Sequence, residues 1–552
     1  MMATITHEGE SRNLHKGRTI FDYADELAVQ VPTSCGRSGI CHECIVEVTN
    51  GIQALNAKTD SESFLRDDFR LACQAQVERK DIDIGFSTLR RTPKILTQTK
   101  ETRTEIDPVV TRRGNTILYD GEEVDSFRGH IYGIAIDLGT TTIVMDLIDL
   151  ETGETLRTSA FENPQRFGGS DVMHRISYDG QYPGELRKAV VNALNHEIEE
   201  LGHQLGFVRQ EVYEIVVAGN STMRDILFRL NVQSIGQKPY RSLIEQEQLD
   251  GKRGSTTLLA KARRLGIRAN PQTRVYGLPL IGSHVGGDVA ADLLSIDMPS
   301  QKEAIMLVDV GTNTEVVVGH AGRLVCASCP AGPAFEGGLI TYGMPGYEGA
   351  IESVSIENGQ FLFKTIGDIK PVGICGSGLI DVLAELRRSG QMTPKGVFSE
   401  KRRQLSLVPE SGITLSREDA SNLAQAKAAN FCGQFIVMRN FGIEPLDIHK
   451  LYLAGGFANY VDVRNAVNIG FLAPVPFDRI EKVGNASIEG SRKILLSRRK
   501  RAQIESLVEN IEHIELETTS DFFEIFVEGC QFKQMPTEFK KLGAQEPIGF
   551  HG

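Results

Sequence analysis

Two apolar runs of this chain carry the same pattern. YGIAIDLGTTT, Tyr132 to Thr142, and MLVDVGTNT, Met306 to Thr314, each read as a strand that ends in Asp-x-Gly-Thr-x-Thr. The first continues past its turn as IVMDLID, which places the turn at a hairpin tip. The repeat predicts two similar halves facing a shared cleft. In each turn the glycine lets the backbone approach a ligand closely, and the amides and hydroxyls after it suit phosphate oxygens. An aspartate beside phosphate repels it unless a cation lies between them, so the pattern asks for Mg²⁺ and a nucleoside triphosphate. The candidate residues are Asp137, Gly139, Thr140 and Thr141 in the first turn, and Asp309, Gly311, Thr312 and Asn313 in the second.

Upstream, the pattern predicts a small separate unit over residues 1–88. GRTIFDYADELAVQVP places Ile20, Phe21, Ala24, Leu27 and Ala28 on one helical face, with Pro32 beyond its end. A loop, CGRSGICHEC, follows from Cys35 to Cys44, then IVEVTNG alternates like a strand and closes on the turn pair Asn50-Gly51. LACQAQVE and DIDIGF read as the last strands. Residues 89–130 turn polar and irregular and read as a linker with at most one short helix or strand.

From 131 to 552, strands, glycine turns and helices alternate, which argues for an α/β domain in two lobes, the second beginning near 280. NPQRFGGSDVMHRI is a polar loop entering a helix, and EIVVAGNSTM is a strand ending in a glycine turn that opens another. Residues 232–279 show no clear pattern. GICGSGLIDVLAEL passes from glycines into an apolar helix, so Gly376 and Ser377 sit at free helix amides suited to an anion. Ser416 and Asp419 form a capping-box-like start, with Leu423, Ala426 and Phe431 on the buried face of the next helix. In LYLAGGFANY, Gly455 and Gly456 allow a flat ring to approach the backbone, and Phe457 reads as packing beside an adenine pocket.

Composition narrows the class. With 552 residues the chain needs several cores, and 41% hydrophobic with 24% charged residues is ordinary for a soluble globular protein. A net charge of -12 argues against a nucleic-acid surface, and the basic run Arg498 to Arg501 reads as a solvated helix face. The first residues have no apolar signal core, and no run reaches the roughly 18 to 20 apolar residues of a membrane span, so a cytoplasmic protein is expected. In that reducing setting nine cysteines form no disulfide framework.

Four of the nine crowd into the first unit. Cys35, Cys41 and Cys44 are spaced C-x5-C-x2-C, with Cys73 later in the chain. Four thiolates in this order suit an iron-sulfur cluster, one residue looser in the first gap than the plant-type pattern, while a zinc site would ask for two C-x2-C pairs. Gly36 and Gly39 let the loop curl with its amides inward. His42 lies inside the loop, but four cysteines already complete the ligand set. Cys326 and Cys329 lack a second pair and read as core residues, and Cys375, Cys432 and Cys530 are isolated.

These residues resemble known families. The cysteine loop and LACQ resemble 2Fe-2S ferredoxins of the vertebrate and bacterial kind, which implies a β-grasp fold and one-electron transfer. The two Asp-Gly-Thr turns and AGGF, in this order, resemble the superfamily of actin, sugar kinases and heat-shock chaperone ATPases. That resemblance implies two ribonuclease-H-like lobes closing on Mg-ATP over residues 131 to about 526. Together, with NPQRFGGSDVMHRI, AGNSTM, AGPAFEGG, ICGSG, LAGGFANYVDVRNAVNIGFLAP and GNASIEGSR, the chain resembles reductive activators of corrinoid enzymes.

The resemblance implies ATP-dependent return of a corrinoid cofactor from cob(II) to cob(I) in a methyltransferase system. A corrinoid protein partner, a low-potential electron donor (a ferredoxin or flavin reductase) and a homodimer are also implied. Relatives carry a further domain between ferredoxin and ATPase, for which 89–130 leaves no room. Three alternatives remain: an activator of a 2-hydroxyacyl-CoA dehydratase type, which would use a 4Fe-4S cluster between subunits; a kinase fused to a ferredoxin; and a redox scaffold that binds no ATP.

Overall fold

The computed structural model describes residues 3–89, 101–357, 359–456 and 458–539. The first unit is a five-stranded sheet in the order Glu10–Asn13, Thr4–His7, Ile84–Thr88, Ile45–Asn50, Phe69–Leu71. Its helix, Ile20–Glu26, starts at a capping box in which the Thr19 hydroxyl accepts from the Asp22 amide and the Asp22 carboxylate accepts from the Thr19 amide. The helix is shorter than its apolar pattern. Ala28 lies past the end, exposed and in the left-handed region at φ 55°, while Tyr23 is fully buried in its place. Of LACQ only Leu71 is in a strand, the last residue of Phe69–Leu71, and Ala72, Cys73 and Gln74 form the turn after it, which lets Cys73 face the cysteine loop.

A buried ion pair pins that turn. Arg70 donates to Glu62 through Nε at 2.8 Å and through one terminal nitrogen at 3.1 Å, and Glu62 also accepts the Leu71 amide at 2.9 Å. Both side chains are buried. With every oxygen occupied, the desolvation of the pair is offset by geometry rather than by charge alone.

The segment expected to be a linker is more ordered than its composition suggests. Within it, Val110–Arg113, Thr116–Tyr119 and Glu122–Ser126 form an antiparallel sheet of their own. Val109, Val110, Ile117 and Tyr119 join the core beneath it, and the Tyr119 hydroxyl donates to Glu214 at 3.2 Å. Short strands with a few inward apolar residues leave little periodicity, so a polar count misreads them.

Beyond it lie the two expected lobes, each with a six-stranded sheet. The first runs Thr155–Glu162, Thr142–Asp149, Tyr132–Leu138, Val212–Ala218, Arg274–Gly277, Leu258–Lys261. The second runs Ile480–Gly484, Lys450–Ala454, Ile305–Val310, Thr314–His320, Arg323–Cys329, Ile511–His513. In both, three consecutive strands pair antiparallel and the first of the three pairs parallel to a later strand. The unplaced stretch 232–279 supplies the helix Leu243–Leu249 and the last two strands of the first sheet. The long helix Arg417–Phe441 opens at the Ser416 and Asp419 capping box, with Leu423, Ala426 and Phe431 buried.

Two helices join the lobes. Gly287–Ser295 and Ala486–Leu496 cross so closely that a Cβ on Gly490 would lie 2.1 Å from the Ala291 carbonyl oxygen. A shared core around them includes Val216, Val289, Leu307 and Ile488, which ties both sheets to one axis. Among the described residues no helix is long and apolar enough to cross a membrane.

The buried pair gives a direct stability test of the first unit. Glu62→Ala leaves Arg70 without its carboxylate and should cost about 3–5 kcal/mol. Thermal bleaching of the reconstituted cluster should then occur at lower temperature than in the wild type, with the unfolding of residues 131–539 unchanged.

Candidate functional site

The two Asp-Gly-Thr turns face one cavity of about 190 Å³ between the lobes. Asp137 and Asp309 stand near the ends of the equivalent strands Tyr132–Leu138 and Ile305–Val310 and line it. Asp137 accepts from the Asn485 amide group at 2.7 Å and from the Ser487 hydroxyl at 3.2 Å. Asp288, Asp292 and Glu315 line the same enclosure. Burial pushes Asp137 and Asp309 up to about 6, and Asp137 repels Asp309 further. Burial and then repulsion from Asp137 push Asp288 up to about 7. Asp292 and Glu315 are raised well above ordinary carboxylates, again by burial first. Asp292, which is 1% exposed, faces Asp309, and two carboxyls that close share a hydrogen bond only when one of them is protonated.

So many enclosed carboxylates do not ionise together without a cation. No three His, Cys, Asp or Glu side chains among the described residues converge on a single ion position. Asp137 and Asp309 would suit magnesium, which keeps several waters and binds through one or two carboxylates plus phosphate oxygens.

The turns touch across the cleft. The Thr141 and Thr312 hydroxyls lie 3.0 Å apart, and both donate to one oxygen of Glu336, at 3.1 and 2.6 Å. The Tyr347 hydroxyl, from the second lobe, donates to Glu162 at the end of Thr155–Glu162. Thr140 accepts from Asn220 at 3.0 Å, and the Gly311 amide donates to the Asn313 carbonyl at 3.0 Å. Two glycines are required by the backbone itself. A Cβ at Gly139 would lie 2.5 Å from the Thr142 carbonyl oxygen, and one at Gly455, where φ is 109°, would lie 2.1 Å from that of Val310.

Gly376 and Ser377 begin the helix Gly376–Arg388 and line the cavity, as do Gly455 and Gly456. Ser377 spends its hydroxyl on the Glu352 carbonyl at 2.8 Å, so its contribution to an anion is its backbone amide. Phe457 lies outside the described residues. Every other residue singled out in the two turns and the two glycine loops reaches this cavity.

Sequence reading missed Asp288, Asp292, Glu315, Glu336, Asn220, Asn485 and Ser487. Two signals existed. Asp288 and Asp292 sit one helical turn apart on an otherwise apolar helix, and a carboxylate pair there is costly without a role. Asn220 and Asn485 cap the helices that follow the AGNSTM and GNASIEGSR strands.

In the first unit the four cysteines come together as two pairs. Cys44 and Cys73 lie with sulfurs 3.3 Å apart. Hydrogen bonds from Ser38 and the Cys41 backbone, strengthened by the Cys41 side chain, pull Cys35 down to about 5. The Cys44 thiol donates to Cys73: Cys44 is raised by that bond and by burial, and Cys73 is drawn down to about 6 by the same bond. Gly36, Arg37, Gly39 and His42 all take positive φ, the tight curl that aims amides at the sulfurs. One lowered thiol in each pair, Cys35 and Cys73, and the curl of the loop fit a two-iron cluster, which is ligated in pairs rather than at one point. His42 is occupied elsewhere: its Nδ1 lies 2.9 Å from Glu185 and its ring stacks on Phe64. Cys326 and Cys329 are buried, with thiols raised by burial, as core residues should be.

Fold and site together define an iron-sulfur domain joined to an actin-like ATPase. Three family descriptions match in succession: a 2Fe-2S iron-sulfur cluster binding domain over residues 4–78, the RACo middle region over 132–301, and the C-terminal domain of RACo, the ASKHA domain, over 303–543. The corrinoid activation enzyme RamQ of Eubacterium limosum is 32% identical over 429 residues, covering 73% of this chain and 70% of RamQ. The [Co(II) methylated amine-specific corrinoid protein] reductase of Methanosarcina barkeri is 26% identical over 422 residues, covering 71% and 75%. A solved reductive activator for corrinoid,iron-sulfur protein superposes with a TM-score of 0.70 at 27% identity, covering 96% of this chain and 98% of that one.

The chain belongs to the RACo family of reductive activators. It is an ATP-dependent iron-sulfur reductase. The family's middle region matches 132–301, which is the first lobe.

Asp309→Asn keeps the shape of the cleft and removes a charge. ATP hydrolysis, read as phosphate release, should fall by at least about 100-fold, while the visible spectrum of the cluster is unchanged.

Proposed function

We propose that this chain uses ATP to return the cobalt of a corrinoid protein from cob(II) to cob(I) in a methyltransferase system, one electron at a time. What carries the reading is a thiolate loop and a two-lobed nucleotide cleft in one chain, together with similarity to corrinoid activators along most of its length. When bound at Cys35, Cys41, Cys44 and Cys73, a 2Fe-2S cluster supplies a one-electron carrier.

The need for ATP is thermodynamic. Plant-type clusters lie near about -400 mV, and cob(I) is a stronger reductant than such a centre comfortably makes. For one electron, about 59 mV changes the equilibrium tenfold. On this reading Asp137 and Asp309 hold Mg²⁺ through its waters and orient the attacking water. Thr140, Thr141, Thr312 and the turn amides neutralise phosphate charge. Closure of the lobes favours binding of the cob(II) partner with an axial ligand lost, and hydrolysis separates the two before the electron returns. The electron donor is a low-potential ferredoxin or flavin reductase, the chain acts in the cytoplasm, and two copies pair.

The C-x5-C-x2-C loop favours this reading over the dehydratase activator, whose 4Fe-4S cluster bridges subunits. The test is anaerobic loss of the cob(II) spectrum of candidate corrinoid proteins with reduced, full-length protein. Loss should require ATP; loss at equal rate without ATP, or none with any corrinoid partner, would reject the proposal.

A further inference from the structure

The motif NPQRFGG finds no role in the nucleotide chemistry, yet it touches both the cleft and the iron-sulfur domain. On the cleft side, the Asn163 amide donates to the Thr141 carbonyl at 2.7 Å, and the Asn163 side chain donates to the Gly139 carbonyl at 2.8 Å. A few residues on, Arg166 lies between two carboxylates. It donates to Glu47 of the iron-sulfur domain at 2.5 Å and to the Thr88 carbonyl there at 3.2 Å, while its Nε lies 3.5 Å from Glu162. Glu162 is the residue that accepts the Tyr347 hydroxyl from the second lobe.

Beside Arg166, the buried Phe167 meets Phe64 and Phe69 of the iron-sulfur domain edge-on, with centroids 6.1 and 6.5 Å away. Phe64 in turn stacks on His42, between two of the cluster cysteines. This short turn is therefore a continuous path from both phosphate turns to the thiolate loop.

We infer that Arg166 is a positioning residue for electron transfer, whose choice between Glu162 and Glu47 ties the state of the nucleotide cleft to the docking of the iron-sulfur domain. Arg166 is hydrogen-bonded to Glu47 but stops 3.5 Å short of Glu162. The two atoms that face each other there, Arg166 Nε and a Glu162 oxygen, are buried without a hydrogen bond among the described residues, so closing the second contact draws the guanidinium away from the first. Phosphates seated between the two turns must exchange the bonds among Thr141, Thr312 and Glu336, and with them the approach of the lobes. As the lobes close on the phosphates the Tyr347 hydroxyl shifts along Glu162, and the carboxylate turns toward Arg166 and draws it from Glu47. The iron-sulfur domain then loosens from the first lobe and becomes free to approach a partner. The inference rests on the reading of the cleft as a nucleotide site.

Hydrogen exchange on the full-length, cluster-loaded protein tests it, with and without a magnesium-bound non-hydrolysable ATP analogue whose binding is measured in parallel. In the wild type, the analogue should raise exchange over residues 60–72 and 163–182. Arg166→Ala should exchange fast there already, with no further response to the analogue. Arg166→Lys, able to serve one carboxylate at a time, should recover part of the response. Glu47→Gln, remote from the cleft, should mimic Arg166→Ala while binding the analogue normally, and it carries the test alone if Arg166→Ala does not fold. A wild-type protein that binds the analogue without change at 60–72, or Arg166→Ala with a full response, would overturn the inference and leave the nucleotide site standing. Failure of the wild type to bind the analogue would overturn both.

Discussion

The structure depends on a charge problem. Asp137, Asp288, Asp292, Asp309 and Glu315 are gathered in one enclosure, contributed by both lobes and by the helix between them. Left to themselves they repel, and burial holds them toward their neutral forms. The fold tolerates this because the two sheets are locked elsewhere, at the crossing of Gly287–Ser295 with Ala486–Leu496. A cation bound there with a polyanion would relieve that cost.

That relief is shared between the lobes. Thr141 and Thr312 come from equivalent turns on equivalent strands, and Glu336 receives both. A ligand that engages one turn cannot leave the other unaffected. The same first turn is bonded to NPQRFGG, against which the iron-sulfur domain rests. The cleft and the domain that carries the thiolate loop are therefore joined through a few contacts.

Much of this was legible in the chain. The Asp-x-Gly-Thr repeat showed the two lobes because a strand, a forced turn and a row of hydroxyls leave a local pattern. Cys35, Cys41, Cys44 and Cys73 were legible because ligand spacing is local and thiols are rare. Residues such as Glu336 and Glu315 were not, since nothing beside them marks a carboxylate that will point into a cleft built from distant strands. The sheet over Val110–Ser126 was hidden for a different reason: its strands are short and lean on a core supplied by the first lobe. Ala28 shows the opposite error, an apolar residue in register with a helix that has already ended.

Calorimetric titration of ATP into the full-length protein, with magnesium present and then with all divalent cations chelated, tests the central claim most directly. The account predicts one nucleotide per chain with magnesium and a large loss of affinity without it, because the carboxylates would then face the phosphates unscreened. Equal affinity in the two conditions, or no binding in either, would contradict it.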